Sequence, residues 1–169
     1  ERAAAAAGLA YVASSLSPSA DTQAVLSALH ALQDDPAVDG VLVELPLPAH
    51  VDAIRVLAAI EPARDADGAS PASLGRLAAG MPGPRPATPA AVMALLDEAV
   101  TPLRGARAVI VGRSRAVGLP AALMLLARDA TVTVAHSRTR GLAAITRTAD
   151  VLVAAAGVPN LIGADGVRP

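Results

Sequence analysis

Arg107-Ala108-Val109-Ile110-Val111-Gly112-Arg113-Ser114-Arg115-Ala116-Val117-Gly118 is the stretch that decides the fold. Residues 107–111 are apolar and β-branched, and short enough to be a strand buried on both faces of a parallel sheet. Residues 112–118 then form a turn, and 119–128 a helix. Residues 131–135 read as a second strand, 142–148 as a helix and 151–155 as a third strand. Strand, glycine turn, helix, strand, helix, strand is the order of one Rossmann half, with the short connections of a parallel sheet. The turn itself has the pattern G-x-S-x-x-x-G. Gly112 permits the tight turn, Gly118 a close backbone approach, and the N–H groups opening the next helix would face an anion. Taken alone, the pattern fits a structural turn as well; its place in a β-α-β-α-β unit favours ligand binding.

The end of the second strand sharpens this reading. An NAD site needs a carboxylate there to hold the ribose 2′-hydroxyl. The chain instead has His136-Ser137-Arg138-Thr139-Arg140, which offers guanidinium and hydroxyl groups. That set suits the 2′-phosphate of NADP, and Arg113 would converge on the same phosphate. The competing reading is a solvated basic loop.

Working outward towards the N-terminus, Thr88-Pro89 reads as a helix start, Thr at N-cap and Pro at N1, with the helix running to Glu98. Residues 61–86 are rich in Pro, Gly, Asp and Ser and read as one long irregular stretch. Within it, Asp65 and Asp67 would either hold a substrate's amide or amino group or simply form a turn before Gly68. A helix is expected over 51–60. Val41-Leu42-Val43 reads as a buried strand, ended by Pro46 and Pro48, with Glu44 at its carboxyl end, the usual ligand side. A helix capped by Asp21 or Ser19 runs to Gln33, residues 9–14 make a short strand, and residues 3–7 end a helix at Gly8.

Composition removes other classes. The 169 residues carry 14 basic and 15 acidic groups, a net charge of −1, so no global field attracts nucleic acid or an anionic membrane. Every basic residue is arginine, and the chain contains no lysine. With one tyrosine, no Phe and no Trp, no base-stacking platform can be built. Zero cysteine excludes disulfides and thiolate chemistry. His30, His50 and His136 sit on separate elements with no metal-ligand spacing. No apolar run approaches the ~20 residues of a membrane span, and no signal peptide is legible. About a quarter of the chain is alanine, which favours helix and close packing. A cytoplasmic α/β protein is expected. Because it opens on Glu1 rather than Met and stops at Pro169, it is expected to be a piece of a longer one.

Several segments together resemble the bifunctional methylenetetrahydrofolate dehydrogenase/methenyltetrahydrofolate cyclohydrolase (FolD) family. Residues 39–48, DGVLVELPLP, resemble its DGILVQLPLP signature, and Asp65-Ala66-Asp67-Gly68 with Gly75-Arg76-Leu77 resembles DVDG…GRL. Residues 86–89 resemble PCTP; Gly112-Arg113-Ser114, Val117-Gly118 and Pro120 resemble GRSxxVGxP. Residues 136–139 match HSRT, and 150–160 resemble DILVAAVGKPN. The likeness runs along essentially the whole chain in order.

The resemblance implies oxidation of 5,10-methylenetetrahydrofolate with NADP and hydrolysis of the methenyl product to 10-formyltetrahydrofolate. It implies a folate-binding α/β domain over 1–100, a Rossmann-like NADP domain over 101–169, and a homodimer. Asp67 would contact the pterin, and Glu44 takes the place of a glutamine that positions the family's lysine. Gly112, Arg113, Ser114, Val117, Gly118, Ser137 and Arg138 fall in the NADP segments, Gly157 and Pro159 near the nicotinamide ribose. The family's Tyr-x-x-x-Lys would end immediately before Glu1, so the 169 residues alone are expected to lack the hydrolysis. A carboxylate at Glu44 would raise that lysine's pKa and weaken the step further. The alternative is a catalytically inactive nucleotide-binding or assembly module of the same fold.

Overall fold

The computed structural model describes residues 2–99 and 101–168, apart from the side chain of Ala3. The chain divides into two compact units, Glu1–Arg64 and Asp65–Pro169.

The first unit is helical among its described residues. Helix α1 (Arg2–Ala6) closes as the N–H groups of Gly8 and Leu9 donate back to Ala5 and Ala4 at 3.1 and 2.9 Å. Asp21 caps α2 (Thr22–Asp34), accepting the Ala24 N–H at 2.8 Å, and Asp52 caps α3 (Ala53–Ala58). The two helices bury Leu26, Leu29, Val56 and Leu57, and Ile60 just after α3 is buried as well. Gln33 is buried without penalty because its amide donates to the Ala59 carbonyl at 3.1 Å and accepts the Glu61 N–H at 2.7 Å. Neither strand expected here forms. Residues 9–14 are irregular, with Leu9 64% and Val12 71% exposed. Val41 donates to the Arg64 carbonyl at 2.7 Å, but 42 and 43 carry no ladder. Both segments have strand composition; what they lack is a partner strand to complete alternating hydrogen bonds.

The second unit follows the expected order closely. Strands β1 (Arg107–Val111), β2 (Thr131–Ala135) and β3 (Val151–Ala154) form a parallel sheet in the order β2-β1-β3. β1 is central, its Val109 level with Thr133 on one side and Leu152 on the other. One face of β1 presents Ala108 and Ile110 to Ala121, Ala122 and Leu125 of α6 (Gly118–Leu126). The other presents Val109 and Val111 beside Leu142 and Ile145 of α7 (Leu142–Thr146). The alanines let α6 lie close on the sheet, which is how a chain with so few large side chains fills its core.

Two parts depart from expectation. The stretch over 61–86 contains a helix, α4 (Pro71–Ala78), with Ser70 at N-cap and Pro71 at N1. Helix α5 (Ala87–Glu98) begins before Thr88, so Pro86 occupies the cap position and Thr88 caps nothing. Met93 of α5 packs in the β1–α6 core, and Asp97 pairs with Arg128 at 2.6 Å, so α5 belongs to the second compact unit. Compactness therefore divides the chain earlier than residue 100.

Candidate functional site

The residues singled out for a nucleotide gather at the carboxyl end of the three-stranded sheet. Val111 and Ala135 end β1 and β2 side by side, and the Gly112 N–H donates to the Ala135 carbonyl at 2.8 Å. Arg113 and Ser114 on one loop, and Ser137 and Arg138 on the other, leave the sheet within three residues of that pair and are exposed.

Both glycines of the turn answer to the chain's own backbone. Gly112 has φ +129°, and a Cβ there would overlap the Ala155 carbonyl. A Cβ on Gly118 would overlap the Gly112 carbonyl, so its close approach is to the turn itself rather than to a ligand. The N–H groups at the start of α6 are committed as well. Ser114 Oγ accepts those of Val117 and Gly118 at 3.2 and 3.4 Å, and the Ser114 carbonyl accepts that of Leu119 at 3.0 Å. Pro120 has none to give. An anion here is therefore not met by α6's own donors, contrary to the sequence reading.

The polarity of the loop side chains remains. A serine hydroxyl has two lone pairs and one proton; Ser114, exposed, accepts two N–H groups on the turn, which leaves its proton free to donate. On the neighbouring loop, Thr139 Oγ1 accepts the His136 N–H at 2.8 Å and His136 Nδ1 accepts the Arg138 N–H at 3.2 Å. The His136 carbonyl also accepts the Thr139 N–H at 2.8 Å, making a closed turn with Ser137 and Arg138 at its tip. Arg113, Arg115, Arg138 and Arg140 form no ion pair among the described residues. Guanidinium groups without ion-pair partners among the described residues, on two adjacent loops, have the chemistry to take a phosphate monoester.

Beyond β3, the Ala155 N–H donates to the Val111 carbonyl at 2.8 Å and the chain turns through Gly157. An open groove of about 440 Å³ lies there, its lining including Val111, Gly157 and Pro159. Ala154, Ala156, Val158, Asn160, Leu161 and Ile162 complete it and were not singled out individually from sequence. Asn160 adopts φ +56°, a left-handed conformation that asparagine tolerates better than most residues.

The folate-side candidates separate. Glu44 follows no strand; it is exposed and makes no hydrogen bond among the described residues. Asp67 is half-buried and accepts the Ala87 N–H at the start of α5 at 3.4 Å. Asp65 is 2% exposed and accepts from the Ala69 and Ser70 N–H groups and the Ser73 hydroxyl. Burial pushes the Asp65 carboxyl up, but these donors outweigh it and hold it below the usual carboxylate range. Of the two, Asp65 is the loop former. Among the described residues no cluster of three metal-ligating side chains occurs, and no helix is long and apolar enough to cross a membrane.

Comparison with known proteins gives the same order of parts. Residues 1–67 match the tetrahydrofolate dehydrogenase/cyclohydrolase catalytic domain, and 86–169 the NAD(P)-binding domain of the same family. A bifunctional FolD protein of Methanospirillum hungatei is 50% identical over 162 residues, which cover 96% of this chain and 58% of that protein. The crystal structure of the Campylobacter jejuni bifunctional FolD enzyme superposes with TM-score 0.93 at 38% identity, over 98% of this chain and 59% of its own. The Trypanosoma brucei dehydrogenase-cyclohydrolase, complexed with NADP cofactor and inhibitor, superposes with TM-score 0.93 at 36% identity, over 99% of this chain and 58% of its own. The chain thus spans less than two thirds of the proteins it matches.

Proposed function

The chain belongs to the tetrahydrofolate dehydrogenase/cyclohydrolase family, and from that premise we propose that the protein oxidises 5,10-methylenetetrahydrofolate with NADP. Hydrolysis of the methenyl product to 10-formyltetrahydrofolate belongs to the same proposal, as do a homodimer and a cytoplasmic location. The functional division is placed at residue 100, folate-binding before it and NADP-binding after.

One observation supports the reading: two self-bonded loops at the carboxyl end of β1 and β2 carry exposed guanidinium groups without ion-pair partners among the described residues, and an exposed serine hydroxyl. Arg113, Ser114, Ser137 and Arg138 would grip the 2′-phosphate, while Gly112, Val117 and Gly118 keep the turn that carries them. Gly157 and Pro159 shape the groove for the nicotinamide ribose side. NADP⁺ supplies a hydride acceptor at C4 of its nicotinamide ring. The chain's own part is to hold folate and cofactor in reacting geometry, and proximity supplies much of the rate of such a step. Asp67, its orientation set by the Ala87 N–H, would accept hydrogen bonds from the pterin. Glu44 would stand where the family has the glutamine that positions the lysine of the hydrolytic step, a lysine that is not among the 169 residues.

The test is a titration of NADP and NAD against wild type and Arg138→Ala at fixed ionic strength. Losing one charge-assisted contact should weaken NADP roughly ten- to a hundred-fold and leave NAD nearly unchanged. Equal weakening of both would remove Arg138 from the phosphate site. Tight NADP binding with no oxidation of methylenetetrahydrofolate by the full gene product would leave a nucleotide-binding module instead.

A further inference from the structure

We propose that Asp65 is a positioning residue, which with Ser70 and Ser73 clamps the 65–70 loop and so fixes the carboxylate of Asp67 where it meets folate. The inference rests on the reading of Asp67 given above.

The two carboxylates lie two positions apart and are treated in opposite ways. Asp65 Oδ2 accepts the Ser73 hydroxyl at 2.6 Å and the Ser70 N–H at 3.0 Å, and its Oδ1 accepts the Ala69 N–H at 3.2 Å. Ser70 Oγ in turn accepts the Ser73 N–H at 3.1 Å and donates to Ser73 Oγ at 3.2 Å. The proton of one hydroxyl thus points to the next and finally to the carboxylate, a chain in which each bond polarises its neighbour. Capping α4 needs only Ser70. The Ala69 and Ser70 N–H groups that Asp65 takes lie outside that helix, in the loop that carries Asp67.

The loop is pinned on its other side as well. Gly68 has φ +65°, and a Cβ there would stand 2.9 Å from the backbone of both Pro84 and Arg85. Asp67 sits between these two fixed points. Its Oδ1 accepts the Ala87 N–H at 3.4 Å, while Oδ2 has no partner among the described residues. One oxygen is therefore held against α5, and the other is left for a ligand donor. The side chain that meets the ligand is held at 3.4 Å, a long bond; the tighter bonds that set its backbone are all made by Asp65 and the serines.

The experiment is a double-mutant cycle on the full gene product, following dehydrogenase kinetics with methylenetetrahydrofolate and NADP varied separately. Wild type, Asp65→Asn, Asp67→Ala and the double variant are compared, each with a thermal unfolding curve. Asn keeps the shape but turns one acceptor into a donor facing donors, so KM for the folate should rise about tenfold with KM for NADP unchanged. On top of Asp67→Ala, the same substitution should change nothing further. Multiplying effects, or an equal rise in both KM values, would make Asp65 a general stability residue and overturn the proposal. If Asp67→Ala alone leaves the kinetics unaltered, the folate reading of Asp67 falls first, and this inference with it. Should Asp65→Asn fail to fold, Ser73→Ala removes a single donor from the clamp and carries the same cycle with the same outcomes.

Discussion

At Asp65 and Asp67, neighbouring carboxylates take different jobs, and only long-range partners tell them apart. Asp-Ala-Asp-Gly is symmetric as a string; Ser73, eight positions beyond Asp65, decides which carboxylate is buried. Residue type therefore leaves the pair open, as it leaves the basic loop after β2 between a phosphate seat and a solvated turn, and the role given to Ser114 comes from the family resemblance. The depressed pKa of Asp65 has a pH consequence. A carboxylate whose folded pKa lies below its unfolded value contributes stability that is present above about pH 4 and lost as pH falls through the folded value. The stability gap between wild type and Asp65→Asn, read from chemical denaturation, should be widest above about pH 4 and narrow on acidification. A gap independent of pH would mean the carboxylate's charge is not what the clamp uses. Ser114 makes a second residue-scale case. Ser114→Ala strips the acceptors from Val117 and Gly118, and should cost about 0.5–2 kcal/mol of stability, the range for a lost N-cap. The same denaturation measurement checks it.

Elements were legible where they carry their own evidence. β1, β2 and β3 came out within a residue because each is a short run rich in β-branched residues, apolar in β1 and β3 and alternating Thr-Val in β2. Segments 9–14 and 41–43 have the same local character and make no ladder, because pairing is decided by a second segment. Helix α4 hid in the opposite way. Its Ser70-Pro71 start is the signal credited at Thr88-Pro89, but the surrounding Gly, Asp and Pro masked it. At Thr88-Pro89 the helix starts two residues early, at Ala87, whose N–H is taken up from outside by Asp67. The turn after β1 yields a prediction at this scale. Gly112→Ala must resolve an overlap with the Ala155 carbonyl at an unfavourable φ, so β1 and β3 have to part. A loss of more than about 3 kcal/mol, or no folded protein, is expected in thermal unfolding.

Across the whole molecule, near-neutrality conceals an uneven distribution of charge. The net charge is −1, yet Arg113, Arg115, Arg138 and Arg140 sit on the two adjacent loops at one end of a sheet without ion-pair partners among the described residues. NADP affinity should therefore fall more steeply than NAD affinity between low and high salt, as the Debye length shrinks from ~30 Å at 0.01 M to ~3 Å at 1 M. Calorimetric titration at several salt concentrations reads the two slopes, and parallel slopes would refute the placement of these arginines. Order is uneven as well. Ala108, Val109, Ile110 and Val111 are 0–2% exposed, whereas Leu9, Tyr11 and Val12 are 49–71% exposed. Amide exchange should be slowest in β1 and near the unprotected rate over residues 10–17. The wiring of the two loops at the sheet's end matters for time as well as affinity. Ser114, His136 and Thr139 close both turns with the protein's own atoms, so on the proposed reading an arriving nucleotide would meet turns already formed and would have only the arginine side chains to organise. Its arrival should register in a rapid-mixing trace as a single phase that quickens in proportion to nucleotide concentration, without a plateau.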